Sequence, residues 1–169
     1  LLFGVEGAKD PAVDVVRRLQ ARYPNVSSKL IIHAGKRGSN PKVSNLRRVM
    51  SFASHDLLVN SDSNVAVANV YLMGLSRHFG KPGVGLVTNL IVGVEEASLG
   101  ARLDHLHLNG FAAGFVALTG EFSDDTATIG KSMMFRRSDF QRLGGMESIA
   151  ALLAEDYVMG RMYREAGYE

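Results

Sequence analysis

The chain has no cysteine, no tryptophan and only 4 prolines in 169 residues. Without cysteine there can be no disulfide framework and no thiolate metal site, and a cytosolic location is compatible with that composition. No apolar run approaches the roughly 20 residues that cross a bilayer, and no secretory leader is visible, which leaves membrane attachment to be settled by other features. Charge of one sign is also lacking: 19 basic and 17 acidic side chains are interspersed, so no basic stripe argues for a nucleic-acid partner. Repeats and low-complexity tracts are absent. What remains is 46% hydrophobic, enough to bury a core of ordinary size in one domain spanning residues 1–169. The chain opens without Met and stops at Gly167-Tyr168-Glu169, where a helix has ended and a strand is due, so it reads as an internal piece of a longer protein, incomplete at both ends.

Apolar periodicity alternates along it. Leu1 to Val5 reads as a buried strand, and Asp10-Pro11 supplies an N-cap and a first-turn proline for a helix from Pro11 to about Tyr23. Ala12, Val15, Val16, Leu19 and Tyr23 then share one helix face. Lys29 to His33 is expected as a strand, Gly35 to Pro41 as a polar loop, Lys42 to Ala53 as a helix and Leu57 to Asn60 as a third strand. A helix near Ala68 to Phe79 precedes the β-branched run Val84 to Val94, which has the composition of a central strand. Glu95 to about Leu118 reads as helical, with glycines leaving its continuity open. Beyond Ser123-Asp124-Asp125, a strand is expected from Thr126 to Phe135, then helices near Ser138 to Leu143 and Ser148 to Ala166, parted by Gly144-Gly145. Such an order predicts an α/β fold with a mostly parallel sheet flanked by helices, whose ligands lie beyond the carboxyl ends of the strands.

Asp62-Ser63-Asn64 stands at such an end. A strand closing in an acidic triplet is one way a parallel sheet offers oxygen ligands to a metal-bound diphosphate; the same residue types also suit turns and helix N-caps. The triplet's company favours the first reading. Asp10-Pro11-Ala12-Val13-Asp14, Gly38-Ser39-Asn40-Pro41-Lys42-Val43-Ser44-Asn45-Leu46, Ser61-Asp62-Ser63-Asn64, Pro82-Gly83-Val84-Gly85-Leu86-Val87, Gly130-Lys131-Ser132-Met133 and Leu153-Ala154-Glu155-Asp156-Tyr157 follow one another in this order. In order and spacing they resemble ceramide glucosyltransferase-like proteins, a family that includes hopanoid-associated bacterial relatives and lies among the inverting glycosyltransferases of GT-A fold.

The resemblance covers nearly the whole chain and implies a single glycosyltransferase catalytic domain, residues 1–169, with a Rossmann-like nucleotide-binding layer. It implies a nucleotide-sugar donor, a divalent metal and a lipid acceptor handled at the cytosolic face of a membrane, with transmembrane segments outside the chain. The family's acidic motifs fall on Asp10, Asp62 and Asp156. A further motif with Arg-Trp normally follows downstream, and this tryptophan-free chain lacks it.

Chemistry assigns those positions work. A departing nucleotide diphosphate concentrates negative charge, and a hard ion such as Mg²⁺ or Mn²⁺ prefers carboxylate, water and phosphate oxygens. Asp62 is the expected metal ligand and part of the donor site, with Asn64, where relatives often carry Asp or Gly, as a second oxygen or as a turn residue. Glu6 and Asp10, after the first strand, are expected near the base and ribose, Asp10 also capping its helix. Lys42 opens a helix whose dipole favours an anion, so its ammonium is expected near the donor phosphates, with Asn45 supporting the loop one turn along and Lys131 a further cation of the same kind. Inverting transfer needs one base opposite the leaving group; Asp156 is that base by its resemblance to the family motif, with Glu155 shaping the site. His105 and His107, two apart in a helical stretch, do not share a face, and Phe111, Phe115 and Phe122 are candidates for an apolar acceptor surface or for ordinary core.

The expected function is therefore that of a hexosyltransferase moving glucose from UDP-glucose onto a lipid hydroxyl such as ceramide, with inversion. Alternatives are a relative using a hopanoid lipid or an N-acetylated sugar, a degenerate nucleotide-sugar-binding module without transfer, and a metal-dependent phosphatase of another α/β fold.

Overall fold

A computed structural model describes residues 1–33, 39–94, 98–122 and 127–169, with side chains left undescribed at 112, 117 and 119–122. Lys36, Arg37, Glu95, the break at Ser123-Asp124-Asp125 and the Phe122 side chain lie outside the described residues. The chain packs as two compact units: residues 1–56 with 144–153, and residues 57–143 with 154–169.

In the first unit, β1 (Leu2–Val5) pairs in parallel with β2 (Lys29–Ile32) around the connecting helix α1 (Ala12–Arg22). The pairing is what a strand, a crossover helix and a strand impose. Val13 and Val16 are buried with Val5 and Ile31, so the helix turns a different face inward from the one expected: Val15, Leu19 and Tyr23 are exposed, because the three-residue step from Val13 to Val16 sets the contact with the strands. Helix α2 (Pro41–Met50) begins one residue earlier than expected: the Asn40 side chain accepts the Val43 N–H at 3.2 Å and Pro41 takes the first helical position. Val43 is almost fully buried. A short helix, α3 (Gly145–Ile149), follows the left-handed Gly144 at φ 109° and adds Ile149 to this core.

The second unit is built on three strands in the order β3 (Leu57–Ser61), β5 (Ser132–Arg136), β4 (Leu86–Thr88). β5 runs antiparallel to both neighbours, which therefore point the same way as each other. Its consecutive Met133, Met134 and Phe135 are all buried, as expected for a central strand covered on both faces. Met134 packs with Leu75 and Phe79 of and after helix α4 (Tyr71–His78), with Leu57, Val59, Val84 and Val87 around them. Phe140 of helix α5 (Arg137–Arg142) meets Phe135 edge to face at a centroid distance of 5.4 Å. Helix α6 (Leu99–Leu106) widens into a π-helical turn (His107–Ala112) and continues as α7 (Ala113–Phe122). Helix α8 (Glu155–Glu165) closes the unit by burying Met159 and Tyr163.

The α/β alternation expected from the sequence stands, and three details differ. The apolar run from Val84 pairs only as far as Thr88. There the Thr88 hydroxyl donates to the Ile129 carbonyl and accepts the Ile129 N–H, both at 3.0 Å, and Asn89 turns its side chain to Ser132, drawing the edge into a polar knot. The strand expected from Thr126 begins only at Ser132. The helix expected from Ser148 to Ala166 is broken between Ile149 and Glu155, although Ala150-Ala151-Leu152-Leu153 are good helix formers. The Leu152 carbonyl instead accepts from the Asn40 side chain at 2.7 Å, and Leu153 is 96% exposed. Tertiary bonding overrides propensity, and Glu155-Asp156 consequently open a helix instead of lying within one.

Candidate active site

Each unit presents its own group of sequence-predicted residues. In the first unit, Glu6 is exposed directly after β1. Asp10 Oδ1 accepts the Ala12 N–H at 2.8 Å, so this carboxylate caps the start of α1 as well as standing at the strand end. Lys42 occupies the first turn of α2, partly buried, one residue before the capped Val43. Asn45, one turn on, donates from Nδ2 to the Gly4 carbonyl at 3.2 Å, and its Oδ1 is buried without a hydrogen-bond partner. Gly4 is needed there, because a Cβ would meet Val49 at 2.4 Å and Asn45 Oδ1 at 2.6 Å. Asn45 is thus a brace between α2 and β1, in keeping with a supporting part.

In the second unit, two residues of one turn, Gly130 and Lys131, gather the remaining candidates. The Asp62 N–H donates to the Lys131 carbonyl at 3.0 Å, continuing the β3–β5 ladder one step past Ser61. Lys131 Nζ donates to Asn64 Oδ1 at 3.3 Å and lies 4.0 Å from Asp62 Oδ2. On the other side, the Gly130 N–H donates to Asp156 Oδ2 at 2.8 Å, while Asp156 Oδ1 accepts the Tyr157 N–H at 2.9 Å. The Gly130 carbonyl accepts from Asn60 Nδ2, on β3, at 3.3 Å. A Cβ on residue 130 would stand 2.8 Å from Asp156 Oδ2 and 2.9 Å from its Cβ, so the approach of this carboxylate requires glycine. Glu155 is buried and Asp156 partly open, so of the acidic pair it is Asp156 that a substrate can reach.

Asp62 Oδ2 and Asn64 Oδ1 both face one positive charge, the Lys131 ammonium, which stands in for a cation. Among the described residues no group of three or more His, Cys, Asp or Glu could hold a metal ion by itself. One carboxylate and one amide oxygen fit a hard ion whose other ligands are diphosphate oxygens and water, the habit of Mg²⁺ and Mn²⁺ bound with a nucleotide.

Asn60, Tyr71 and Asn89 were not singled out in the sequence. Ser132 Oγ lies 2.7 Å from the Tyr71 hydroxyl and accepts from Asn89 Nδ2 at 2.7 Å, fixing the turn from behind. No local signal marks these residues, because their partners are 43 or more positions away. The histidines part company as their spacing implies. His107 stacks on Phe111, and Phe111 on Phe115, at centroid distances of 5.6 and 6.4 Å, whereas the His105 ring packs against Gly93. Phe111 and Phe115, with Leu99, Leu103, Leu106 and Leu118, form an exposed apolar flank along α6, the π-turn and α7. No helix among the described residues is long and apolar enough to cross a membrane.

Comparison with known proteins bears on the family and the fold. The chain is 28% identical over its whole length to ceramide glucosyltransferase 3 of Caenorhabditis elegans, covering 37% of that protein. It is 26% identical to ceramide glucosyltransferase 1 of the same animal, covering 99% of the chain and 36% of the relative, and 26% identical to the ceramide glucosyltransferase of Komagataella phaffii. The chain thus spans a little over a third of the length of these relatives. Among solved structures, a mannosyltransferase from Pyrobaculum calidifontis in complex with GDP-Man and Mn²⁺ superposes with a TM-score of 0.65 over 97% of the chain and 42% of its own, at 20% identity, which shows a shared GT-A-type fold. The model of glycosyl transferase family 21 matches residues 1–169, from the first residue to the last, and the chain belongs to that family.

Proposed function

We propose that this chain is a catalytic domain of an inverting hexosyltransferase that moves a hexose, glucose from UDP-glucose, onto a lipid hydroxyl such as that of ceramide. One observation carries the reading: the Gly130-Lys131 turn ties the cation-facing pair Asp62 and Asn64 to the carboxylate of Asp156. Inverting transfer needs a charge-neutralising site for the diphosphate and a base for the acceptor, held in fixed relation. Ceramide glucosyltransferases among the relatives suggest the donor sugar and acceptor, and the nucleotide sugar and Mn²⁺ on the fold neighbour suggest a metal-assisted donor site.

In this reading Glu6 and Asp10 hold the base and ribose, Lys42 meets the phosphates from the first turn of α2, and Asn45 keeps that helix on β1. Asp62 and Asn64 would hold Mg²⁺ or Mn²⁺, which would supply charge neutralisation for the leaving diphosphate. Asp156 takes the proton of the acceptor hydroxyl as its oxygen bonds to the anomeric carbon from the face opposite the diphosphate. The bond from that carbon to the diphosphate oxygen breaks with its electron pair leaving on UDP. Glu155, buried beside it, shapes the site. The exposed apolar flank of α6 and α7 suits a lipid acceptor and a membrane surface, and in the full-length protein the site works at the cytosolic side.

The test is transfer by the full-length protein in detergent or liposomes, with UDP-glucose, short-chain ceramide and Mn²⁺, read as glycosylated lipid by mass spectrometry. Product that disappears in EDTA is the expected result. Donor binding without product would make the domain a nucleotide-sugar-binding module, and product only with another lipid or an N-acetylated sugar would shift substrate within the family.

A further inference from the structure

The side chain of Lys131 and a divalent ion have a claim on the same oxygens. Its Nζ is 3.3 Å from Asn64 Oδ1 and 4.0 Å from Asp62 Oδ2, while metal–oxygen bonds to such groups are about 2.0 to 2.6 Å long. An ion that binds these oxygens would thus stand within a few ångströms of the ammonium, and like charges at that distance repel even through water. Lys131 is nonetheless free to turn. Its side chain is 39% exposed, and its backbone is fixed independently, since its carbonyl accepts from Asp62 and its neighbours Gly130 and Ser132 are bonded on both sides. The ammonium can leave the two oxygens without disturbing the turn that carries it.

We propose that Lys131 couples metal binding to nucleotide binding. Its ammonium competes with the divalent ion for Asp62 and Asn64 in the donor-free protein, and moves onto the diphosphate when ion and nucleotide arrive together. The inference rests on the metal-assisted donor site proposed above and adds to it a binding order: weak metal alone, tight metal with nucleotide. Because coupling is reciprocal, the nucleotide in turn binds weakly without the ion. The economy lies in charge. Before the donor arrives, the lysine offsets the carboxylate; afterwards, lysine and ion both face the phosphates.

The experiment follows free Mn²⁺ by electron paramagnetic resonance while the full-length protein is titrated, with and without UDP, for wild type, Lys131→Met, Lys131→Gln and Lys131→Arg. Removing a positive charge at this distance is expected to tighten Mn²⁺ binding without UDP by roughly fivefold to tenfold. The factor by which UDP tightens Mn²⁺ falls by a similar ratio in both neutral variants. Lys131→Arg keeps the charge and is expected to stay near wild type. Met and Gln differ in polarity but not in length or charge, so agreement between them separates loss of the ammonium from disturbance of the turn. Mn²⁺ affinity that is unchanged or weaker without UDP in the neutral variants overturns the proposal. A wild-type protein that takes up Mn²⁺ neither alone nor with UDP would instead overturn the metal-assisted donor site itself.

Discussion

Two acidic strand ends in this molecule put the same side chain to different uses. After β1, Asp10 gives an oxygen to a backbone N–H only two residues away and so helps start a helix. After β3, no helix follows at once, and Asp62 faces the ammonium of a residue on another strand's approach, with Asn64 bonded to the same ammonium across 67 positions. A carboxylate bonded locally serves mainly the backbone; one facing a distant cation is placed by the fold and stays available to a ligand. Asp156 combines the two, with Oδ1 on the next residue's N–H and Oδ2 on Gly130, 26 positions earlier.

If that distinction is correct, its largest consequence is at Asp156. Asp156→Asn keeps the shape and, with its single amide oxygen, one of the two backbone bonds that Asp156 accepts from Gly130 and Tyr157, so donor affinity measured by calorimetry should change little. Lipid product formation should fall by about 10² to 10⁴, the usual worth of a positioned base. Joint loss of binding and turnover would put Asp156 in the donor site, and retained turnover would move the base to Glu155.

Gly130→Ala attacks the long-range half alone. The new methyl would stand 2.8 Å from Asp156 Oδ2 and must push the carboxylate away. Displacement on the scale of an ångström is expected to lower kcat by about 10²-fold with donor KM little changed, since misplacement costs reactivity before it costs binding. A fall in KM-type affinity with intact kcat would show that the bond is only a fold contact.

Asp62→Asn and Asp10→Asn sharpen the contrast directly. An amide oxygen still caps a helix nearly as well as a carboxylate, so Asp10→Asn should leave the thermal midpoint almost unmoved. Asp62→Asn loses a charged ligand and should weaken metal-dependent UDP-sugar binding by about tenfold or more. Equal affinity of wild type with and without EDTA would remove the contrast. The smallest effect is expected at Lys42, where Lys42→Ala should raise the donor dissociation constant through loss of a charged contact worth about 1.5 kcal/mol or somewhat more. Unchanged affinity with a lowered midpoint would make Lys42 a residue of the α2 helix only.

The same division between local and distant bonding explains what could be read from the residues in advance. Asp10-Pro11 announced α1, and apolar runs pointed to each strand though not to all of their ends, because those signals are spent within a few positions. Asp62, Asn64 and Asp156 were singled out by motif, and their common dependence on Gly130-Lys131 was not, because nothing in the sequence says that residue 131 lies beside residue 64. The break before α8 was missed for a related reason. Ala150 to Leu153 favour a helix, and the bond from Asn40 that prevents it spans 112 positions. β5 was expected too early because Ala127-Thr128-Ile129 has strand composition, while its polar groups are taken up by Thr88.

That bond from Asn40 also bears on the order in which the chain can fold as it emerges from the ribosome. The first unit owns residues 1–56 and also 144–153. Its β1–β2 pair and both flanking helices are complete early in synthesis, yet Ile149 of its core and the Leu152 carbonyl that satisfies Asn40 Nδ2 are made only after nearly all of the second unit. Until then the core lacks an aliphatic side chain and the bond from Asn40 to residue 152, both of which the finished unit has. The N-terminal segment therefore waits as an unfinished nucleus, and residues 57–143 must begin to organise before their predecessor can close. A unit completed by residues that lie beyond its neighbour in the sequence closes only once that later stretch has been made.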